Sequence, residues 1–387
     1  MFRFLTAGES HGPCLTVIVE GIPAGLDLDL DLINKEMARR QIGYGRGGRM
    51  KIEKDQVEIL SGVRFGQTIG SPITLTIRNR DWVNWQTRMA VFGTKQGDAV
   101  ITPRPGHADL AGALKYDRQD VRDILERASA RETAARVAVG AVARQILSKL
   151  GIEIASHVTN IGGVQASVKK SVTLEQLRTR WESSEIGCLC EQAETGMKQA
   201  IDKAKQMGDT LGGIFELLAF GVPVGLGSHV HWDRRLDSRI AAAVMSIPAV
   251  KGVEFGTGFA LAGLPGRSAH DAIYHSREAG FFRSSNRAGG VEGGITNGQT
   301  VVVRAVMKPI PTLMQPLDSV NLDNGETAKA NTERSDVCAV TAAGVVGEAM
   351  FALVLTEAVQ EKFGGDTLSD MVQAVTYYRD RISRRMP

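Results

Sequence analysis

Apolar positions along this chain recur with two periods. Short runs rich in β-branched residues at 15–19, 57–63 and 73–77 predict strands, because successive strand side chains face opposite sides. Between them, 29–40 carries Leu30, Ile33 and Met37 on one face at helical spacing. The longest helical pattern runs from near Asp120 to near Leu150, with Val121, Leu125, Ala135, Val139, Val142 and Ile146 in its apolar stripe. Its stretch 128–143 is rich in alanine, which permits close packing and predicts burial on more than one side. Farther on, 160–210 reads as a strand followed by polar helices, 211–221 as a strongly apolar strand and 237–246 as a helix. Residues 289–299 are glycine-rich, 300–307 form a strand, and 341–361 form a long apolar helix before a polar tail. Strand runs lie between long helices without βαβ alternation, which predicts an α+β fold. No repeat or linker interrupts the sequence, so a single domain over 1–387 is expected.

Composition narrows the class. With 43% hydrophobic and 23% charged residues, the chain has a globular balance and the length for a large core. A net charge of +3, from 46 basic and 43 acidic residues, is too small to indicate nucleic acid by itself. Cys14, Cys188, Cys190 and Cys338 fit neither a zinc-ligand spacing nor a C-x-x-C redox pair. They read as ordinary thiols of a reducing compartment. The N-terminus lacks a signal-peptide pattern, and no apolar run reaches membrane-spanning length. A cytoplasmic protein with neither nucleic-acid nor membrane partner is expected.

Two histidine segments carry the candidate chemistry. GESHG at 8–12 and RPGHAD at 104–109 each set an imidazole beside glycine, where backbone and ligand can approach closely. Histidine titrates near neutral pH. Neither segment offers a second ligand at i+3 or i+4, so no metal is expected. His11 and His107 therefore read as proton-transfer residues. Guanidinium groups gather nearby in the pattern: RRQIGYGRGGR at 39–49, RASARE at 127–132 and RSD at 334–336, the last with KPIPT at 308–312. Arginine binds phosphate and carboxylate bidentately, and buried arginines need partners. The ordinary alternatives are a solvated basic loop at 39–49 and a salt-bridge ladder of Arg127 and Arg131 with Glu126 and Glu132. GGVEGG at 289–294 does not link a strand to a helix, so no dinucleotide fold is expected.

Taken in order, GESHG at 8–12, RR at 39–40, GRG at 45–47, RPGHAD at 104–109, RASARETAAR at 127–136, GVPVGLG at 221–227, AVKGVEFG at 249–256, AGGVEGGI at 288–295, KPIPT at 308–312 and RSD at 334–336 resemble the chorismate synthase family over essentially the whole chain. The resemblance implies a β-α-β sandwich of antiparallel sheets enclosing helices, and a homotetramer. It implies a lyase that removes phosphate from 5-enolpyruvylshikimate 3-phosphate by 1,4-anti elimination, giving chorismate, with reduced FMN as cofactor. Residue by residue, it assigns His11, His107 and Asp336 to catalysis. Arg40, Arg46, Arg49, Arg104 and Arg131 would hold the substrate's anionic groups. Arg127, Ala128, Ser129, Pro248, Ala249, Gly293, Lys308, Pro309, Ile310, Pro311, Thr312 and Arg334 would contact the flavin. Ala128 stands where a serine is common, and Pro248 where some members carry asparagine. Arg40 and Arg46 also match NADP positions of members that reduce their own flavin. No reductase domain is evident, so an external flavin reductant is expected, with NADPH as the alternative. A non-flavin enzyme acting on phosphorylated acids and an RNA-binding protein using 39–49 are the competing classes.

Overall fold

Alternating side chains build the first layer. The computed structural model describes residues 2–48, 52–167, 172–277, 280–333 and 335–384. Strands β1 (Arg3–Ala7), β2 (Cys14–Glu20), β3 (Val57–Ile59) and β4 (Ile73–Arg78) form an antiparallel sheet in the order β1-β2-β4-β3. Leu15, Val17 and Val19 pair with Ile77, Leu75 and Ile73, and all six are buried. A register slip of one residue would turn them all to water.

The helices form the middle layer. Helix α1 (Leu30–Gln41) starts at Asp29, whose side chain accepts from the amides of Asp31 and Leu32. It buries Ile33 and Met37, as their spacing predicts. Helices α2 (Asp109–Tyr116) and α3 (Arg122–Ala128) follow, then α4 (Thr133–Lys149). Strands β5 (Glu153–Ile161) and β6 (Val164–Gln165), helices α5 (Leu174–Ser183) and α6 (Glu191–Gln206), strand β7 (Gly213–Phe220), helix α7 (Leu236–Met245), and strands β8 (Val250–Phe255) and β9 (Val301–Met307) come next. The five strands make a second antiparallel sheet in the order β8-β9-β7-β5-β6. Helix α8 (Val340–Phe363) packs on β5 and β7 and crosses α4, which packs on β2 and β4. The result is sheet, helices, sheet, an α+β sandwich. One hydrophobic cluster runs through it from Phe2 to Val375.

The two central helices touch because their facing side chains are small. Gly140 of α4 lies directly against Ala349 of α8. Helix α8 is long and apolar enough to cross a membrane, but almost all of that stretch is buried within the protein. That length corrects the expectation that no apolar run reaches it. A second correction concerns 120–150, which is not one helix. It breaks at Ser129, which is extended (φ −64°, ψ 140°) and whose hydroxyl accepts from the Arg131 amide. The polar tail is also a helix, α9 (Leu368–Ser383), capped by the Thr367 hydroxyl.

Candidate active site

Three helices begin at one place. The residues just before α2 and α8, Ala108 and Ala339, and the first residue of α4, Thr133, all line a cavity of about 540 Å³. Helix N-termini present unpaired amides and a partial positive charge, so the site favours anions before any side chain is counted. The basic side chains of Arg40, Arg46, Arg104, Arg131, Lys251 and Lys308 line it, against the acidic Glu333 and Asp336. Another part of its wall is apolar, made by Leu125, Ile247, Val250, Met307, Ile310 and Val346 among others. Its volume lies in the range of small-molecule and cofactor sites.

His11 is held on three sides. Its backbone N–H donates to Glu126 Oε2 (2.8 Å), and its Nδ1 lies 3.0 Å from both Glu126 oxygens. Its ring stacks on Trp85 with centroids 4.0 Å apart. Burial raises the Glu126 carboxyl pKa, but His11 and Arg122 outweigh it and hold the group below the usual carboxylate range. An ionised carboxylate only accepts, so Nδ1 carries the proton toward Glu126 and Nε2 is the free ring nitrogen.

The second histidine repeats the arrangement with different parts. His107 Nδ1 donates to Asp109 Oδ1 at the start of α2. Arg104 Nε donates to Asp109 Oδ2 (2.8 Å), and Arg104 Nη1 to the Thr312 hydroxyl (2.9 Å). Burial works against the Asp109 carboxylate, yet the bonds from His107 and Arg104 prevail and push its pKa well below the ordinary range. Lys308 Nζ donates to the Gly106 carbonyl, so the RPGHAD and KPIPT segments form one wall.

The arginines divide. Arg40 and Arg131 are both buried and converge on Asp55, at 2.7 Å and 2.6 Å. Burial disfavours the charge on Asp55, but the two guanidiniums outweigh it and its carboxyl is depressed. Among the described residues, Arg40 Nε and Arg131 Nη2 have no hydrogen-bond acceptor, although Glu53 lies 3.8 Å from the latter. Arg46 pairs with Asp336 Oδ2 (2.8 Å), and the Gly47 amide donates to Asp336 Oδ1 (2.6 Å). A Cβ at Gly47 would sit 2.6 Å from the Ser335 carbonyl oxygen, so only glycine lets the two loops meet. Ala249 takes a left-handed backbone, φ 68°, and such strain clusters at functional sites.

Among residues the sequence singles out, His11, His107, Asp336, Arg40, Arg46, Arg104, Arg131, Ala128, Ser129, Pro248, Ala249, Lys308, Ile310, Pro311 and Thr312 line this cavity. Arg127, Pro309 and Gly293 are not in its lining. Arg127 points outward, donating to the carbonyls of Thr6 and Gly8. The break at Ser129 separates Arg127 from Arg131, so the two do not form one helical ladder with Glu126 and Glu132. Arg49 and Arg334 lie outside the described residues. Arg39 leaves the loop cluster for a buried network with Glu36, Glu348 and Arg144. Sequence reasoning missed Trp85, Asp55 and the partnership of Glu126 with His11. The one available signal was the i, i+4 spacing of Arg122 and Glu126, whereas the sequence placed Glu126 in a ladder with Arg127 and Arg131. No group of three or more His, Cys, Asp or Glu side chains among the described residues is arranged to hold a metal.

A sandwich whose helix ends, arginines and two carboxylate-paired histidines surround one cavity defines an enzyme for an anionic small molecule. Residues 2–360 match the family described as chorismate synthase, and the chain belongs to that family. The chorismate synthase of Desulforamulus reducens is 59% identical over 373 residues, covering 96% of each chain. That of Geobacter sulfurreducens is 56% identical over 380 residues, again covering 96% of each. A crystal structure of a chorismate synthase matches with a TM-score of 0.80 at 46% identity, covering 99% of this chain and 98% of its own. The chain is accordingly a carbon–oxygen lyase of the shikimate pathway.

Proposed function

We propose that the cavity eliminates phosphate from 5-enolpyruvylshikimate 3-phosphate with reduced FMN bound beside the substrate. The observation that carries this reading is one cavity bounded by three helix N-termini, cationic side chains and an apolar wall. A substrate with one phosphate and two carboxylates suits the cationic part. The ring system of a flavin suits the apolar part, and its own phosphate adds to the demand for cations. Arg40 and Arg131, which line the cavity, fit an anion in the same way.

The elimination breaks one C–O and one C–H bond, forms a second ring double bond and changes no net oxidation state. The chemistry that reduced FMN supplies when bound is transient electron density that weakens the bond to the leaving phosphate. The protein's part is electrostatics and proton placement. Arg40, Arg46, Arg104, Arg131 and Arg49 would neutralise the substrate's anionic groups. His11 would protonate the departing phosphate from Nε2. His107 would hold a proton beside the flavin, and Asp336 would assist removal of the ring proton. The segments around Ala128, Ser129, Pro248, Ala249 and 308–312, with Arg334, would hold the flavin.

The reading carries with it a single domain over 1–387, a cytoplasmic location and a homotetramer. An external reductant would supply the reduced flavin, with NADPH at Arg40 and Arg46 as the alternative. Visible spectra of the protein with FMN, before and after substrate, test the joint site: substrate should perturb the flavin bands. Turnover with photoreduced FMN but not with NADPH plus oxidised FMN would fix the external source.

A further inference from the structure

Glu126, near the end of α3, makes three of the bonds that fasten the GESHG turn. The Ser10 amide donates to the Glu126 carbonyl (3.0 Å), the His11 amide donates to Glu126 Oε2, and His11 Nδ1 donates to the same carboxylate. Glu126 is itself fixed by Arg122, whose Nη1 donates to Oε1 at 2.8 Å. The Arg122 guanidinium lies over Trp85, 5.0 Å from its ring centroid, and Trp85 stacks on His11. Four side chains thus close a ring: His11, Glu126, Arg122, Trp85. Glu126 is almost wholly buried and is not part of the cavity lining, so it meets a ligand only through His11.

We infer that Glu126 is a positioning residue for His11: it fixes the ring plane with Nδ1–H toward its carboxylate and stabilises the imidazolium, so that Nε2–H is the donor that delivers a proton into the cavity and the neutral ring left behind is the Nδ1–H tautomer. This rests on the reading of the cavity as the site of phosphate elimination. The logic is that of a buried carboxylate behind a histidine, which selects the tautomer and stabilises the imidazolium without taking the proton itself. Arg122 keeps Glu126 ionised, so Glu126 accepts from Nδ1 rather than donating to it. The charged groups around the imidazole are Glu126 and Arg122 on α3, Asp81 and Arg88 at Trp85 and Glu333 beyond Arg122. Across the cavity stand Arg131 and the Arg46–Asp336 pair. Of these only Glu126 touches the ring through a hydrogen bond.

The test is Glu126→Gln, which keeps the side-chain shape and one acceptor oxygen but removes the charge. The expected result is kcat lower by about 10–100-fold with KM within about twofold. The alkaline limb of the pH–rate profile should move to lower pH, because the imidazolium loses its counter-charge. Glu126→Asp, which keeps the charge, should restore the wild-type position of that limb. In a His11→Ala background, Glu126→Gln should cost less than about twofold more, since the two residues act as a unit. Nitrogen-15 chemical shifts of the His11 ring supply a readout independent of turnover: Nδ1–H in the wild type, mixed tautomers in Glu126→Gln. An unmoved pH profile, an equal cost in the His11→Ala background and an unchanged tautomer would reduce Glu126 to a staple of the turn and overturn the inference. A wild-type protein that turns over no substrate but holds the Nδ1–H tautomer would instead overturn the functional reading and leave the geometry standing.

Discussion

His11 and His107 each turn one nitrogen to a buried carboxylate, which leaves the other for chemistry. His11→Ala and His107→Ala should each lower turnover by roughly 10²-fold or more, as for general acid–base residues. Steady-state kinetics check this, and near-wild-type turnover in either variant would remove its proton-transfer role. Arg46 is the arginine bonded to Asp336. Arg46→Ala should weaken substrate binding by about 1.5–3 kcal/mol, the cost of a charge-assisted bond, and weaken FMN binding less. Separate titrations of the two ligands decide between them. Asp109 is a stability residue as much as a site residue. Its pKa is depressed in the folded protein, so its contribution is full above the ordinary carboxylate range near pH 4 and is lost as pH falls below it. Asp109→Asn leaves Arg104 and His107 without their counter-charge and should cost about 3–5 kcal/mol at pH 7. Chemical denaturation should show the gap between variant and wild type narrowing as the pH drops below about 4.

Among elements, the crossing of α4 and α8 sets the geometry on which the cavity depends, since both helices begin at its wall. A Cβ at Gly140 would lie 2.3 Å from the Ala349 Cβ and 2.6 Å from its Cα. Two effects compete in Gly140→Ala. Alanine favours the helix by about 1 kcal/mol, while overpacking against backbone costs about 1–3 kcal/mol. The clash involves a Cα that cannot rotate away, so net destabilisation is expected, read as a lower denaturation midpoint. Most elements were legible from periodicity: α1 from Leu30, Ile33 and Met37, β2 and β4 from their alternation, α8 from its apolar length. The break at Ser129 was not, because the apolar stripe continues through it while a side-chain cap stops the helix locally. Helix α2 was hidden because it spans only eight residues and its Leu110, Leu114 and Tyr116 face solvent, so no buried stripe marks it.

At the scale of the whole molecule, the sandwich does what no segment does alone. His11, Arg46, His107, Arg131 and Asp336 come from five separate stretches of sequence and share one cavity. Their types were readable from the motifs, but their partners were not. Asp55 has no signal in its neighbourhood, yet it is the carboxylate on which Arg40 and Arg131 converge. Trp85 lies between the predicted elements and becomes a wall of the site through its stack on His11. Such pairings arise from topology, which brings residues as many as 76 positions apart into contact. The account stands most directly on a single anaerobic measurement: release of phosphate and chorismate from 5-enolpyruvylshikimate 3-phosphate, with and without reduced FMN. Equal amounts of both products, formed only when reduced FMN is present, are the predicted result. Formation at full rate without any flavin, or no product with it, would contradict the account.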